Sequence, residues 1–218
     1  MKLLCVTDLH GDLRSLRRIL EHAGSVEVVL LGGDLTNFGT PNQAEGLIRL
    51  ARQHCPAVMA VAGNCDSPFI DERLSELGVS LFGRGVIHDG VGFHGVSAMP
   101  PWLGSMYELT EPQIQSALEH GAAQVEQATQ QVVVSHVPPR QCSLDRTRKG
   151  VHVGSSALRA FIVRRKPTLV VCGHIHEARG VQTLGDTLVV NCGTAYEGCY
   201  ATATLGDKTT VELCDVPT

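Results

Sequence analysis

Aromatic residues are scarce in this chain, which has one tryptophan, three tyrosines and five phenylalanines among 218 residues. Proteins that track single-stranded nucleic acid lay successive bases on rows of exposed rings. The only tryptophan here sits alone in a proline-broken loop, Met99-Pro-Pro-Trp-Leu-Gly104, so Trp102 reads as a core contact or as the rim of a site. Net charge is small as well, at −4, and neither nucleic acid nor an anionic membrane surface is an expected partner. No apolar run approaches the roughly 20 residues that span a bilayer. After Met1-Lys2 the chain enters an apolar strand directly, without the regions of a secretory signal. The eight cysteines contain no Cys-x-x-Cys pair, and several lie inside apolar runs where a thiol packs as a small hydrophobe. That usage fits reduced thiols and a cytoplasmic location. Repeats, low-complexity stretches and linkers are missing too. Residues 1–218 are therefore read as one domain, long enough to bury about 70% of its unfolded surface.

What is present is a series of short apolar runs that each stop in polar chemistry. Leu3 to Val6 ends at Asp8 and His10, Val26 to Leu31 at Gly33-Asp34, and Ala57 to Ala62 at Gly63-Asn64. Gln131 to Ser135 ends at His136, and Thr168 to Cys172 at Gly173-His174-Ile175-His176-Glu177. Runs that are apolar on consecutive residues suit strands covered on both faces. Residues i and i+2 of an extended backbone point to one side. His174 and His176 could thus serve one metal, two metals close together, or only a solvated turn. Segments of helical spacing alternate with the first strands, which implies a mostly parallel sheet that binds its ligands at strand carboxyl ends.

Further along, several segments have a plain structural reading. Asp12 and Asp66 each precede a helix and read first as caps. Val86 to Asp89 and Val91 to Ser97 form a hairpin about Gly90, with His88 and His94 as ordinary strand histidines. Glu111 to Glu119 is a helix ended by His120-Gly121, Ser155 or Ser156 caps a helix running to Arg165, and four strands between Val181 and Leu213 make an antiparallel meander. The segment Cys142 to Gly154 is a solvated basic loop by default. Because it directly follows a ligand strand, Arg146, Arg148 and His152 are candidates for reaching a bound phosphate.

Two aspartates, one asparagine amide and four imidazoles, without a thiolate, suit Mn, Fe, Zn, Co or Ni in an open catalytic site. This ordered set of blocks resembles the calcineurin-like metallophosphoesterase superfamily. The details Gly63-Asn-Cys-Asp66-Ser-Pro, Ser135-His-Val-Pro-Pro139, Gly154-Ser-Ser-Ala-Leu-Arg159 and Gly173-His-Ile-His-Glu177 resemble its small Icc-related predicted phosphoesterases. The resemblance implies a four-layer α-β-β-α sandwich of two mixed sheets and two divalent metal ions, Mn2+ before Fe, Zn, Co or Ni. It implies that Asp8, His10 and His176 hold the first metal, that Asn64, His136 and His174 hold the second, and that Asp34 bridges them. A metal-bridging hydroxide is then the nucleophile, with Asp34, Asn64 and His136 at the catalytic centre and a small-molecule phosphoester or nucleotide as the partner.

One position departs from that pattern. Many members carry histidine after the asparagine, where it contacts the phosphate, and this chain has Cys65. A thiol is neutral, with an ordinary pKa of about 8.5, and donates protons poorly. The expected substrate is therefore a phosphodiester, contacted by Cys65, Arg146, Arg148 and His152. A nucleotide or phosphomonoester hydrolase on the same centre is one alternative. A non-catalytic scaffold of the same fold, like the retromer subunit that resembles these enzymes, is another, and its mark would be lost ligands. The pattern does not specify an oligomeric state.

Overall fold

Strand β1 (Lys2–Val6) shows why the early runs are apolar without interruption. Leu3 and Cys5 face a core between two sheets, while Leu4 and Val6 face a second core beneath helices, and all four are fully buried. Burying each such side chain contributes about 1.5–3 kcal/mol. The computed structural model describes residues 1–102 and 104–216; Leu103 in the tryptophan loop, Pro217 and Thr218 lie outside the described residues.

The first half alternates as the spacing predicts: β1, α1 (Leu13–Ala23), β2 (Val28–Gly32), α2 (Pro41–His54), β3 (Val58–Val61), α3 (Pro68–Glu76). Asp12 caps α1, accepting from Arg14 N at 2.8 Å and Ser15 N at 3.1 Å. Helix α2 begins ahead of its first apolar residue, Ala44. Pro41 occupies its first turn and Thr40 forms a capping box with Gln43. The hairpin β4 (Val86–His88) and β5 (Val91–Val96) follows, then α4 (Glu111–Ala123), β6 (Gln130–Ser135), α5 (Ser156–Arg165, capped by Ser155) and β7 (Leu169–Cys172). Helix α4 runs through His120-Gly121 rather than stopping there. The bare face of Gly121 lies against the ring of His94, where a side chain would collide. His94 is fully buried, and neither of its ring nitrogens meets a partner.

The last strands, β8 (Gly180–Leu184), β9 (Thr187–Asn191), β10 (Cys199–Thr204) and β11 (Thr210–Asp215), do not form one meander. Two antiparallel hairpins go to different sheets. The five-stranded sheet has the order β11-β10-β1-β2-β3 and the six-stranded sheet β4-β5-β6-β7-β9-β8. The reason lies in β9, whose Val189, Val190 and Asn191 are buried on consecutive residues and fit a position inside a sheet beside β7. Strand β10 instead pairs antiparallel with β1. Helices α1, α2 and α3 cover one sheet and α4 and α5 the other, which gives the α-β-β-α sandwich. No helix among the described residues is long and apolar enough to cross a membrane. All eight cysteines are free, and five of them are buried.

Candidate metal centre

The carboxyl ends of β1, β2 and β3 in one sheet and of β6 and β7 in the other converge on one edge of the sandwich. Asp8, Asp34, Asn64 and His136 are buried there, His10 and His174 are partly buried, and His176 is exposed. Donor atoms of Asp8, His10 and His176 lie within 4.8 Å of one another, and so do those of Asp8, Asp34 and His136, and those of His10, Asp34 and Cys65. Asp8, His10 and Asp34 each belong to two of these groups, so the three overlap in one cluster that joins the two sheets. The remaining pair is close as well: the His136 and His174 rings meet edge to face at 5.1 Å, and His136 Nε2 stands 2.8 Å from Asn64 Oδ1.

Four of these residues hold backbone conformations that side chains rarely adopt: Asp8 (φ 56°), His10 (φ 48°), Asp34 (φ 46°) and His174 (φ 67°). Each costs on the order of 1–3 kcal/mol and persists only where surrounding contacts outweigh it. Hydrogen bonds between the loops supply those contacts. Asp8 N donates to Gly33 O at 3.0 Å and His10 N to Asp34 O at 2.9 Å. The Asp8 carboxylate in turn accepts from His174 N at 3.1 Å and lies 3.2 Å from His176 Nε2. From behind, Thr194 Oγ1 and Tyr196 N donate to Asp8 O at 3.1 and 3.2 Å.

Two glycines of the strand-end pattern have a steric reason. A Cβ on Gly63 would land on Asp34 Oδ1 and on the Asp34 backbone, and a Cβ on Gly173 would land on Asp8 Oδ2. The glycine that precedes one candidate ligand therefore makes room for another from a neighbouring loop.

The electrostatics fit a cation. Burial works against the charged form of Asp8, but His176 and His136 beside it hold the carboxyl below its usual range. Burial likewise opposes charge on His136, yet Asp34 and Asp8 outweigh it and raise the imidazole above its ordinary value. Burial, aided by His136, pushes His174 down to about 3, leaving a neutral ring with a free lone pair. His136 Nδ1 faces Gly32 O at 3.1 Å and must carry hydrogen there. The second proton that its raised value favours sits on Nε2, which then donates to Asn64 Oδ1 at 2.8 Å with Asp34 Oδ1 3.4 Å away. A metal ion would take the place of that proton among these carboxylates and imidazoles, and the oxygen and nitrogen donor set suits a divalent one.

Cys65 is half-buried beside this cluster. Its backbone N–H donates to Asp34 Oδ1 at 2.7 Å, and Asn64 Nδ2 lies 3.3 Å from its sulfur. Burial, with Asp34 next to it, drives the thiol far above the usual range, so it stays protonated. Asp66 is not a helix cap, because Ser67 takes that position on α3. Both Asp66 oxygens are committed to the loop after β2. They accept from Leu35 N at 2.9 Å, Thr36 N and Thr36 Oγ1 at 2.8 Å, and Gly63 N at 2.8 Å.

A cleft of about 700 Å³ opens beside Asn64 and His174, with Trp102, Arg148 and His152 on its walls. Arg146 does not line it, facing instead an adjoining depression shared with Arg148 and Lys149. His152 is tied by Nδ1 to the fully buried Asp145 at 2.6 Å. Glu177, next to His176, accepts from Arg148 N at 3.0 Å. Spacing gave no sign of Met106, whose sulfur is 3.3 Å from Asn64 Nδ2, or of Tyr107, whose N–H donates to Asn64 O at 3.1 Å.

A family model described as calcineurin-like phosphoesterase matches residues 1–178. The uncharacterized protein MJ1162 of Methanocaldococcus jannaschii is 31% identical over 198 residues, which cover 88% of this chain and 87% of that one. Among solved structures, TT1561 of Thermus thermophilus is similar with a TM-score of 0.77 at 18% identity over 99% of both chains. A dimetal phosphatase from Danio rerio is similar with a TM-score of 0.67 at 13% identity, over 100% of this chain and 96% of that one. At such identities the structural likeness is one of fold.

Proposed function

The chain belongs to the calcineurin-like phosphoesterase family, and from that premise we propose that it is a metal-dependent phosphohydrolase that prefers phosphodiesters. The observation that carries the reading is the overlap of the donor groups, in which Asp34 lies within reach of Asp8 and His136 on one side and of His10 on the other. Asp8, His10 and His176 would hold one divalent ion, Asn64, His136 and His174 the other, with Asp34 between them and Mn2+ as the favoured metal. Bound there, such ions polarise phosphoryl oxygens and lower the pKa of water toward neutrality.

The chain's own part is to hold the donors still and in the right protonation state. Loop-to-loop hydrogen bonds fix Asp8 and His10, Gly32 O fixes the His136 ring, and burial keeps His174 neutral. Cys65 stands beside Asp34 where an imidazolium would protonate a leaving group, and its protonated thiol is a weak donor. A diester with a good leaving group needs little protonation, so it suffers least from that substitution. Competent ligand types at all seven positions argue against a scaffold that has lost its chemistry. Free, mostly buried thiols support a cytoplasmic setting.

The test is to strip the protein with chelator, add Mn2+ back, and assay aryl diesters, alkyl monoesters and nucleotides side by side. Highest kcat/KM on the aryl diester is expected. A monoesterase or nucleotidase ranking would replace the diester reading, and no hydrolysis of any ester would replace the enzyme reading.

A further inference from the structure

The cleft beside the candidate metal centre has two unlike walls. One is apolar and comes from the loop after β5: Met99, Pro100, Pro101, Trp102 and Met106. Trp102 is 62% exposed there, although a large ring normally contributes by being covered. The other wall is cationic. Arg140, Arg148 and Lys149 line it, and the depression beyond, bounded by Arg146, Lys149 and Gly150, shares Thr147, Arg148, Lys149 and Glu177 with the cleft.

What marks these cations is that they gather around one cleft, with Glu177 beside Arg148 as the neighbouring carboxylate. Arg49, Arg73, Arg164, Arg165, Lys166 and Arg179 each pair with a carboxylate. Among the described residues no such pair includes Arg140, Arg146, Arg148 or Lys149. They also stand on a built loop. Asp145 anchors it from inside, accepting from Gln141 N, Cys142 N and Gly154 N at 3.0, 3.0 and 3.1 Å. Thr147 N donates to Val151 O at 3.0 Å and Gly150 N to Thr147 O at 2.8 Å, closing a tight turn that presents Arg148 and Lys149. In a chain of net charge −4, three cations gathered on one ordered turn against the single carboxylate of Glu177 favour an anion. The metal centre would already receive the scissile phosphoryl group, so the anion beyond it is a second one.

We propose that the substrate carries a second phosphate beyond the scissile one, held by Arg146, Arg148 and Lys149, and a flat ring laid against Trp102: an ester of the nucleoside diphosphate class. This rests on the phosphohydrolase reading above and narrows its substrate. One aromatic does not make a platform for a nucleic-acid strand, but a single ring suffices for one base. Charge-assisted contacts to phosphate are the strong kind, and arginine engages phosphate in a fork.

Trp102 is the only tryptophan, so intrinsic fluorescence reads the cleft without a label. Metal-loaded, full-length protein is titrated with AMP and with α,β-methylene-ADP, whose bridge resists hydrolysis, and the same titrations are run on Arg146→Ala/Lys149→Ala. The expected result is quenching by both nucleotides, about tenfold tighter binding of the methylene diphosphate, and loss of most of that advantage in the double variant. Three results would each overturn the proposal: equal affinities, an advantage that survives the double variant because the metals alone hold both phosphates, or no change in Trp102 emission. Binding is read without turnover. A chain that shows the expected titrations yet hydrolyses no ester would sink the phosphohydrolase reading and leave this binding site standing.

Discussion

The Tyr107 hydroxyl donates to the Asp71 carboxylate at 2.8 Å. Through the Tyr107 N–H bond to Asn64 O, that carboxyl on α3 is tied to a candidate ligand at the end of β3. Ser97 Oγ donates to the other Asp71 oxygen at 2.8 Å and accepts from Ala62 N at 3.0 Å, so Asp71 also steadies the strand end itself. Burial pushes Asp71 up to about 6, and the two hydroxyls offset this only in part.

A pH dependence follows from that shift. The folded chain keeps a proton on Asp71 that the unfolded chain, with a carboxyl near 3.9, has already released. The resulting stability is fully present below about pH 4 and is lost as pH rises through about 6, on the order of 3 kcal/mol in all. Denaturant midpoints at pH 4, 5, 6 and 7 should show this fall in the wild type and a flatter profile in Asp71→Asn. Equal slopes for the two proteins would assign the dependence to another group.

Replacing the shared carboxylate is the sharpest change at the centre. Asp34→Asn removes negative charge from between the two donor groups. It should lower metal affinity beyond the roughly 10- to 100-fold typical of losing a partner behind the ligands, and abolish Mn2+-dependent hydrolysis with the fold intact. Metal content by elemental analysis, together with circular dichroism, checks both halves. Two ions still bound at near wild-type turnover would remove Asp34 from the centre.

Gly63→Ala puts a methyl onto the Asp34 carboxylate and backbone. The main chain cannot give way as the end of a flexible side chain would, and a loss of about 1–3 kcal/mol is expected, with weaker metal binding. Gly46→Ala in α2 is the matched control: its new methyl meets nothing within 4 Å, and it should stabilise by about 0.5–1 kcal/mol. Thermal melts of both variants make the comparison. A Gly63→Ala protein as stable as wild type would mean that the loops are looser than their contacts indicate.

Cys65→His should restore a proton donor beside the leaving group. Activity on alkyl monoesters should rise more than on activated aryl diesters, with a ceiling of about 10²- to 10⁴-fold. Because Asp66 spends both oxygens on the loop after β2, it is not free to orient the new ring, and the gain should stay well below that ceiling. The readout is kcat/KM on both substrates for both proteins; an equal response would separate Cys65 from leaving-group protonation.

The five strand ends were legible because their chemistry is local: an apolar run and then a donor, with a glycine between them at Asp34, Asn64 and His174. The layers were legible for the same reason, since Leu3 to Val6 cannot be apolar on every residue without cover on both faces. The fate of the last hairpins was not, because nothing within Cys199 to Thr204 names β1, almost two hundred residues earlier, as its neighbour. Asp66 was misread for a related reason. Its position before Ser67-Pro68 is a capping pattern, and only the fold brings Leu35 and Thr36 within reach of its oxygens. The role of Tyr107 rests wholly on contacts with residues distant in sequence.

The support behind Asp8 gives the centre a place in time as well as in space. All seven candidate donors have left the ribosome once residue 176 has emerged, yet the residues that fasten Thr7 and Asp8 from behind, Gly193 to Tyr196, and the strand that completes the pairing of β1 come afterwards. At about 5–20 residues per second the nascent chain spends seconds with every candidate donor made and these fastenings of β1 still to come. The donors are thus complete in sequence before the strand ends that carry them are secured, and their final geometry is set only once β10 has paired with β1.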